Sequence, residues 1–293
     1  MNTKIEFIKS IPNEQGIKKS LHHIIVVDPE SEKYPFSTLL KNKLKRAGKK
    51  LTDLSKEPVT TELDNGAIIS WIGYSADLSP FKIHTLIRKG FGVFSKEKPT
   101  EISIIFLPKN INEFWVNACV YVSLVNSQSL PNLKKGAKNI VLKKLALAGI
   151  NKCDLSKTLA LVNGNTLTRN LTITPPNDLT PTIYKAKIKQ LAKQHKWIYK
   201  DYSMAQLKKM GAGAFVAVGQ GSEPEDAVII HLKYTAKNSK KTIALVGKGI
   251  CFDTGGHNLK PAKYMSGMHE DMNGSAVVLG ILQAATEAKL PLN

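Results

Sequence analysis

Residues 242–256, TIALVGKGICFDTGG, join an apolar run to a cluster of charged residues and glycines. The apolar start is typical of a buried β-strand, and ligands of open α/β sheets bind beyond the carboxyl ends of strands. Lys248 and Asp253 are five positions apart, a spacing that puts two side chains on opposite faces of a regular strand. They can converge only if the backbone bends or bulges, which Gly247 and Gly249 permit. This stretch therefore predicts a ligand site where a strand ends in an α/β fold.

The residues that follow extend this candidate site. Gly255 and Gly256 allow a sharp turn or a close ligand approach, and Lys260 lies beyond that turn. Asp271 stands at the entrance of the predicted last helix, where the helix dipole stabilises a carboxylate. Two aspartates with one or two lysines suit a hard divalent cation. A simpler interpretation stays open for each residue: a helix N-cap for Asp271, surface charges for the lysines and a turn for the glycines.

Other catalytic motifs are not found in the sequence. The GKG at 247–249 lacks the Ser or Thr and the earlier glycine of a phosphate-binding P-loop, and neither HExxH nor GxSxG occurs. His257 and His269 flank the charged cluster, and zinc favours imidazole ligands. Because loop histidines commonly hydrogen-bond or face solvent, we expect these two at most to support a site.

The length of 293 residues predicts two domains. In the first half, short β-branched runs alternate with helical patterns, which predicts a layered α/β domain. The predicted strands are 22–28, 67–73 and 102–108, and the predicted helices are 36–48 and 111–127; 140–149 is assigned to a further helix-rich stretch. We place the boundary near residue 150, giving an N-terminal α/β domain at 1–150 and a second α/β domain at 151–293.

The second half predicts a mixed central sheet. Pro175 and Pro176 must end any preceding helix, and Thr180 followed by Pro181 indicates the start of the next helix. The strands predicted after it are 197–202, 214–218, 226–232 and 242–247, with a helix at 203–210 and a hairpin joining 214–218 to 226–232. The last helix, at 272–290, is expected to pack on the sheet through Val278, Ile281, Leu282 and Ala285.

Composition predicts a cytoplasmic protein with a strongly basic surface. The start of the sequence lacks the apolar core of a signal peptide, and no apolar run is long enough for a spanning helix. The three cysteines are widely spaced, which favours free thiols in a reducing compartment. The net charge is +19, yet only three of the 42 basic residues are arginines. Since nucleic-acid recognition more often recruits arginine, we interpret the charge as mostly a solvated surface.

Five ordered motifs resemble those of the leucyl aminopeptidase family (M17, cytosol aminopeptidase), whose members are two-metal peptidases. They are TPPNDLTP (174–181), GAFVAVGQGS (213–222), VGKGICFDTGG (246–256), LKPAKYM (259–265) and MHEDMNGSAVVLG (268–280). The resemblance is specific over about residues 155–293. It implies that Lys248 and Asp271 ligate one metal, that Asp253 helps to bridge both metals, that Lys260 is the catalytic lysine, and that Met268 lines the pocket for the substrate side chain.

The chemistry implied by this resemblance is release of leucine-like residues from the amino terminus of peptides. Two divalent ions, zinc, manganese or magnesium, would activate a bridging water and bind the substrate amine, while Lys260 stabilises the oxyanion. Lys248 would have to be neutral in order to ligate a metal. The family also implies a cytoplasmic homohexamer.

Departures from the family pattern set limits on this expectation. Glu270 precedes Asp271 where a basic residue is common, and Asn273 and Ser275 replace small residues. The family segment NTDAEGR, which supplies further acids and an arginine, occurs nowhere in these 293 residues. We therefore expect an aminopeptidase fragment with an incomplete catalytic domain and little activity. The alternative is a non-catalytic or DNA-binding protein on a degenerate peptidase scaffold.

Overall fold

The computed structural model describes residues 3–31, 33–136, 139–223, 225–237, 239 and 241–293. The chain divides into two compact units, residues 1–159 and 160–293. The domain limits drawn from the sequence, 1–150 and 151–293, remain a prediction. In the described part of the chain, no helix is both long and apolar enough to cross a membrane.

The first unit is built on a six-stranded sheet. Its strands are β1 (Lys4–Ile8), β2 (His22–Val27), β3 (Val59–Glu62), β4 (Ile68–Gly73), β5 (Glu101–Phe106) and β6 (Lys144–Ala148). Its helices are α1 (Glu14–Ile17), α2 (Ser37–Arg46), α3 (Pro80–Gly92) and α4 (Glu113–Asn126), with a 3-10 turn at Leu51–Ser55. The strand order is β1-β6-β5-β2-β4-β3, and every neighbouring pair is parallel except β3 with β4. The predicted α/β class is confirmed.

Burial explains why the central strands were recognisable from sequence. All six residues of β2 are buried, and an unbroken apolar run is typical of a parallel strand covered on both faces. The strands predicted at 22–28, 67–73 and 102–108 and the helices predicted at 36–48 and 111–127 are confirmed as β2, β4, β5, α2 and α4.

One element of the first unit was predicted wrongly. Residues 140–149, assigned to a helix-rich stretch, contain β6, which lies between β1 and β5 and is parallel to both. A short apolar run cannot be told from a buried helix by its periodicity. Here the pairing on both sides decides the conformation, because it satisfies the backbone of a segment whose last four residues are buried.

The second unit is mainly helical in its described residues. Its elements, beginning with a helix that starts just before the unit, are α5 (Ser156–Ile173), α6 (Pro181–His195), β7 (Ile198–Ser203), α7 (Met204–Lys209), α8 (Gly213–Gly219), β8 (Val228–Lys233), α9 (Ala262–Met265), a 3-10 turn at Met268–Glu270, and α10 (Asn273–Glu287). The predicted start of α6 is confirmed: the Thr180 hydroxyl accepts a hydrogen bond from the Ile183 amide, and Pro181 is the first helical residue. Helix α5 ends before Pro175, as predicted.

The predicted hairpin of this unit is wrong. Residues 214–218 lie in helix α8, and β8 pairs antiparallel with β7 instead. The short apolar run AFVAV fits either a strand or a helix, and here α8 follows α7 after a short turn at Gly211, which has a positive φ of 73°. Among the described residues of this unit, β7 and β8 are the only strands.

The strand predicted at 242–247 is also not formed. These residues belong to no strand, and Val246 is 95% exposed. A strand needs a neighbour that supplies a ladder of hydrogen bonds. In the part of the chain that the structure describes, the backbone of Asn293 alone forms backbone hydrogen bonds near the start of the run, through its carbonyl to the Ile243 amide and its amide to the Lys241 carbonyl.

Helix α10 forms as predicted but buries a different face. Ala276, Leu279 and Gly280 are buried, whereas Ile281 is 48% exposed. The helix crosses α5 where Gly280 meets Gly164. The two backbones are so close there that a Cβ atom on Gly280 would lie 2.5 Å from the Gly164 carbonyl oxygen. The glycines at this crossing therefore determine which face of α10 is buried, and the apolar periodicity of the sequence does not predict that face.

Candidate functional site

The loop after Cys251 turns back on itself at Asp253. The Gly255 amide donates a 2.7 Å hydrogen bond to Oδ1 of Asp253, and the Lys260 amide donates to the Thr254 carbonyl at 2.8 Å. Gly255 has φ of 94°, and a Cβ atom there would lie 2.6 Å from the Asn258 carbonyl oxygen. The loop therefore requires glycine at this position, and its fold brings Lys260 back to Asp253.

Lys260, Asp253 and Met268 meet in one contact. The Lys260 ammonium lies 2.5 Å from Oδ2 of Asp253 and 3.1 Å from Sδ of the buried Met268. The hydrogen bond from Lys260 is the main reason why the pKa of the Asp253 carboxyl is lowered, and the Gly255 amide lowers it further. The structure thus brings together three residues that the sequence singled out.

Lys248 and Asp271 form a second contact. Nζ of Lys248 lies 2.5 Å from Oδ2 of Asp271, with side chains that are 64% and 30% exposed. Asp271 does not cap α10: the N-cap is Met272, and it has no side-chain capping bond. The simpler interpretation of Asp271 as the N-cap of α10 is therefore wrong, whereas the exposed Lys248 is a surface charge that is paired with Asp271.

The two contacts are electrostatically linked. After Lys260 and Gly255, the positive charge of Lys248 also lowers the pKa of Asp253. Lys248 therefore contacts one aspartate and acts through space on the other. Among the described contacts no ion pair joins Lys248 to Asp253, so the direct convergence of these two side chains stays a prediction.

Glycines allow the backbone of Lys248 to approach the start of α10. A Cβ atom on Gly247 would lie 2.6 Å from the Gly274 carbonyl oxygen, and one on Gly274 would lie 3.1 Å from the backbone nitrogen and oxygen of Lys248. Gly247 and Gly249 thus permit close packing, not the strand bulge that was expected.

Sequence reasoning missed the roles of Tyr184 and Ser275. The Ser275 amide donates to the Lys248 carbonyl at 2.7 Å, and the Ser275 hydroxyl lies 2.7 Å from the Met272 carbonyl and 3.1 Å from the Tyr184 hydroxyl. Tyr184 is buried, and this burial raises the pKa of its phenol to about 12. The only signal in the sequence was that Ser275 stands where the family has a smaller residue.

The donor set fits a divalent cation in part. His257 is exposed, and Nε2 of His269 lies 3.9 Å from Oε1 of Glu270. Burial raises the pKa of the Cys251 thiol to about 11, which disfavours a thiolate ligand. Within the described ranges, no group of three or more His, Cys, Asp and Glu side chains could hold a metal. Two aspartates and the Lys248 amine are suitable donors, and of these Lys248 and Asp271 are in contact, whereas Asp253 is paired with Lys260.

Comparison with known proteins identifies the second half of the chain. Residues 166–293 match the family described as cytosol aminopeptidase family, catalytic domain. A probable cytosol aminopeptidase of Pseudomonas fluorescens (strain Pf0-1) is 41% identical over 159 residues, covering 52% of this chain and 32% of the relative. The cytosol aminopeptidase of Buchnera aphidicola subsp. Acyrthosiphon pisum (strain APS) is 32% identical over 234 residues, covering 75% and 47%. The chain spans less than half the length of these curated relatives.

Solved structures show the same fold. A mutant of tomato leucine aminopeptidase superposes with a TM-score of 0.71 at 20% identity, covering 97% of this chain and 60% of that chain. A manganese complex of the bottromycin maturation enzyme BotP gives 0.69 at 22% identity, covering 92% and 57%. Residues 166–293 thus match the catalytic domain of the cytosol aminopeptidase family, and the solved structures show that the chain shares a fold with leucine aminopeptidases.

Proposed function

We propose that residues 166–293 carry part of the active site of a metal-dependent aminopeptidase that releases leucine-like residues from the amino terminus of peptides. The observation that carries the proposal is the pair of linked contacts, Lys248 with Asp271 and Lys260 with Asp253, at positions that match the family motifs. The names of the relatives support the activity, and the manganese complex of BotP supports the metal.

Lys248, Asp253 and Asp271 are the residues that would hold divalent ions, either manganese, zinc or magnesium. Bound ions in such a site supply an activated water and a binding point for the substrate amine. Asp253 suits this role because an aspartate is ionised at neutral pH, and the hydrogen bonds that lower its pKa extend ionisation to more acidic pH. Lys248 must lose its proton and turn from Asp271 to the ion in order to act as a ligand.

Lys260 is the residue that would stabilise charge on the substrate. An ammonium group has three donors, so Lys260 can keep its bond to Asp253 while it donates another to the carbonyl oxygen of the scissile peptide. The developing oxyanion accepts this bond more strongly than the ground-state carbonyl does. Met268, in contact with Lys260, would pack against the substrate side chain.

The assembly, location and activity of the whole protein are part of the same proposal. By family resemblance we propose cytoplasmic homohexamers that act on peptides. Since the described residues supply only two carboxylates and one amine to the site, we expect the chain to hydrolyse leucine amide close to the uncatalysed rate. Chelator-sensitive hydrolysis at a rate ordinary for an enzyme would contradict that expectation.

Calorimetric titration of Mn²⁺ into the 293-residue chain tests the metal proposal. Asp271→Asn should weaken binding at least about tenfold. The matched control is Asp201→Asn, because Asp201 is also paired with a lysine, Lys185, and its side chain is also 30% exposed. Wild-type affinity in the control and weakened affinity in Asp271→Asn are expected. Absent binding in the wild type, or equal affinity in all three proteins, would overturn the proposal.

The second candidate function is DNA binding, with which the net charge of +19 is compatible. Binding through phosphates must weaken steeply as salt rises. A titration with duplex DNA at low salt decides this candidate, and no binding there would remove it.

A further inference from the structure

We propose that Tyr184 and Ser275 are positioning residues that hold Lys248 and Asp271 in a fixed position relative to each other. The inference rests on the proposed metal-binding function of those two residues. It adds two neutral side chains, one on α6 and one on α10, to the residues on which that function depends.

Ser275 contacts both segments that carry the proposed ligands. Its amide donates to the Lys248 carbonyl at 2.7 Å, and its hydroxyl lies 2.7 Å from the carbonyl of Met272, the residue after Asp271. Lys248 and Asp271 are 23 positions apart in the chain. Ser275 therefore connects the backbone at Lys248 to the backbone next to Asp271.

The direction of the hydrogen bonds follows from their chemistry. A carbonyl oxygen only accepts, so the Ser275 hydroxyl donates its single proton to Met272. The remaining contact, 3.1 Å from the Tyr184 hydroxyl, must then have Tyr184 as the donor. Tyr184 can fill this role at all physiological pH values, because its phenol keeps its proton.

Tyr184 is itself firmly held. It belongs to the buried cluster of this unit together with Met272, Ala276 and Leu279, and its side chain is 5% exposed. It lies in the first turn of α6, which begins at the Thr180 cap. In addition, the amide and hydroxyl of Thr182 both donate to Oδ2 of Asp226, at 3.1 and 2.8 Å. A rigid helix start therefore fixes Ser275, and Ser275 fixes the two segments.

Positioning matters here because Lys248 has little other support. Its side chain is 64% exposed, and its segment belongs to no strand among the described residues. Ligands must be held within about half an ångström of their productive geometry. Removing a residue that orients a ligand typically lowers metal affinity by about 10- to 100-fold.

Mn²⁺ titration of four variants of the chain tests the inference. Tyr184→Phe and Ser275→Ala should each weaken binding about tenfold, and Ser275→Thr, which keeps the hydroxyl, should restore most of the affinity. Tyr202→Phe is the control, since it removes a hydroxyl from β7, a strand that supplies none of the proposed ligands. Wild-type affinity in Tyr184→Phe and Ser275→Ala would overturn the inference while leaving the metal proposal intact.

Amide hydrogen exchange in the metal-free chain gives a readout that does not depend on the ion. Tyr184→Phe should speed exchange of the Ser275 amide, the donor to Lys248, more than exchange of the Ala288 amide at the far end of α10. Equal changes at both amides would indicate general loosening of the helix and would contradict a positioning role. If the wild type binds no Mn²⁺, the metal proposal fails, and unchanged exchange at Ser275 separately shows that Tyr184 does not hold Ser275.

Discussion

The ammonium group of Lys260 lies 2.5 Å from Oδ2 of Asp253, and this hydrogen bond is the main cause of the lowered pKa of that carboxyl. The same contact holds Lys260 beside Met268. A residue expected to act on substrate thus stabilises the ionised form of a residue expected to hold metal.

Replacing Lys260 should change the titration of Asp253. In Lys260→Met, the pKa of Asp253 should rise towards its ordinary value, because the strongest stabiliser of the ionised form is lost. Carboxyl-carbon NMR over an acidic pH series measures the pKa of Asp253. Lys263→Met, which removes a lysine placed over the Tyr264 ring, should leave the Asp253 titration unchanged. An unshifted Asp253 in Lys260→Met would show that the contact does not govern the carboxyl.

The crossing of α5 and α10 should not tolerate a methyl group. Gly280→Ala should destabilise the chain by about 2 kcal/mol, since the new Cβ meets the Gly164 carbonyl and the Thr168 hydroxyl in a packed core. Gly213→Ala, at a helical glycine with open space around it, should be neutral or stabilising by about 0.5 kcal/mol. Urea unfolding compares the two, and equal midpoints would contradict the crossing.

Acidification should destabilise the first unit through His23. This histidine is 1% exposed; its Nε2 donates to the Ser20 carbonyl at 2.8 Å, and its Nδ1 has no partner among the described residues. Burial lowers the pKa of His23, and the charge of His22 adds to the effect. The unfolded state therefore takes up a proton near pH 6.5, before the folded state does, and stability falls as the pH drops below that value.

Urea unfolding at pH 7.5 and 5.5 checks this pH dependence. His23→Gln should reduce the difference in unfolding free energy between the two pH values, whatever its effect on stability at pH 7.5. His257→Gln, in an exposed loop, serves as the control and should keep the wild-type difference. A difference that persists in full in His23→Gln would assign the acid sensitivity to other groups.

The elements predicted correctly from sequence are those in which the local residue pattern favours the same conformation as the packing in the folded chain. Strand β2 is buried throughout, with four apolar residues after His22 and His23, and α6 begins at a Thr180 cap followed by Pro181. Strand β6 and helix α8 were predicted wrongly because their short apolar runs fit either conformation. For them the outcome depends on neighbours distant in sequence, which no local pattern contains.

The charged residues of the candidate site could be selected from the sequence because they lie in motifs that resemble those of the family. Asp253, Lys260 and Met268 do meet, and so do Lys248 and Asp271. The contact between Tyr184 and Ser275 was not predictable, since each residue lies in a predicted helix and nothing in the local sequence indicates a contact between them. It depends on a contact across 91 positions of sequence.

The most direct test of the account is to locate the ion on the chain. Mn²⁺ broadens the NMR signals of nearby amides, so a titration followed by amide spectra maps where it binds. The account predicts selective broadening at the amides of residues 248–256 and 271–275, and loss of that pattern in Asp271→Asn. Broadening that spares these residues, or that is unchanged in Asp271→Asn, would contradict the central claim that Lys248, Asp253 and Asp271 form a metal site.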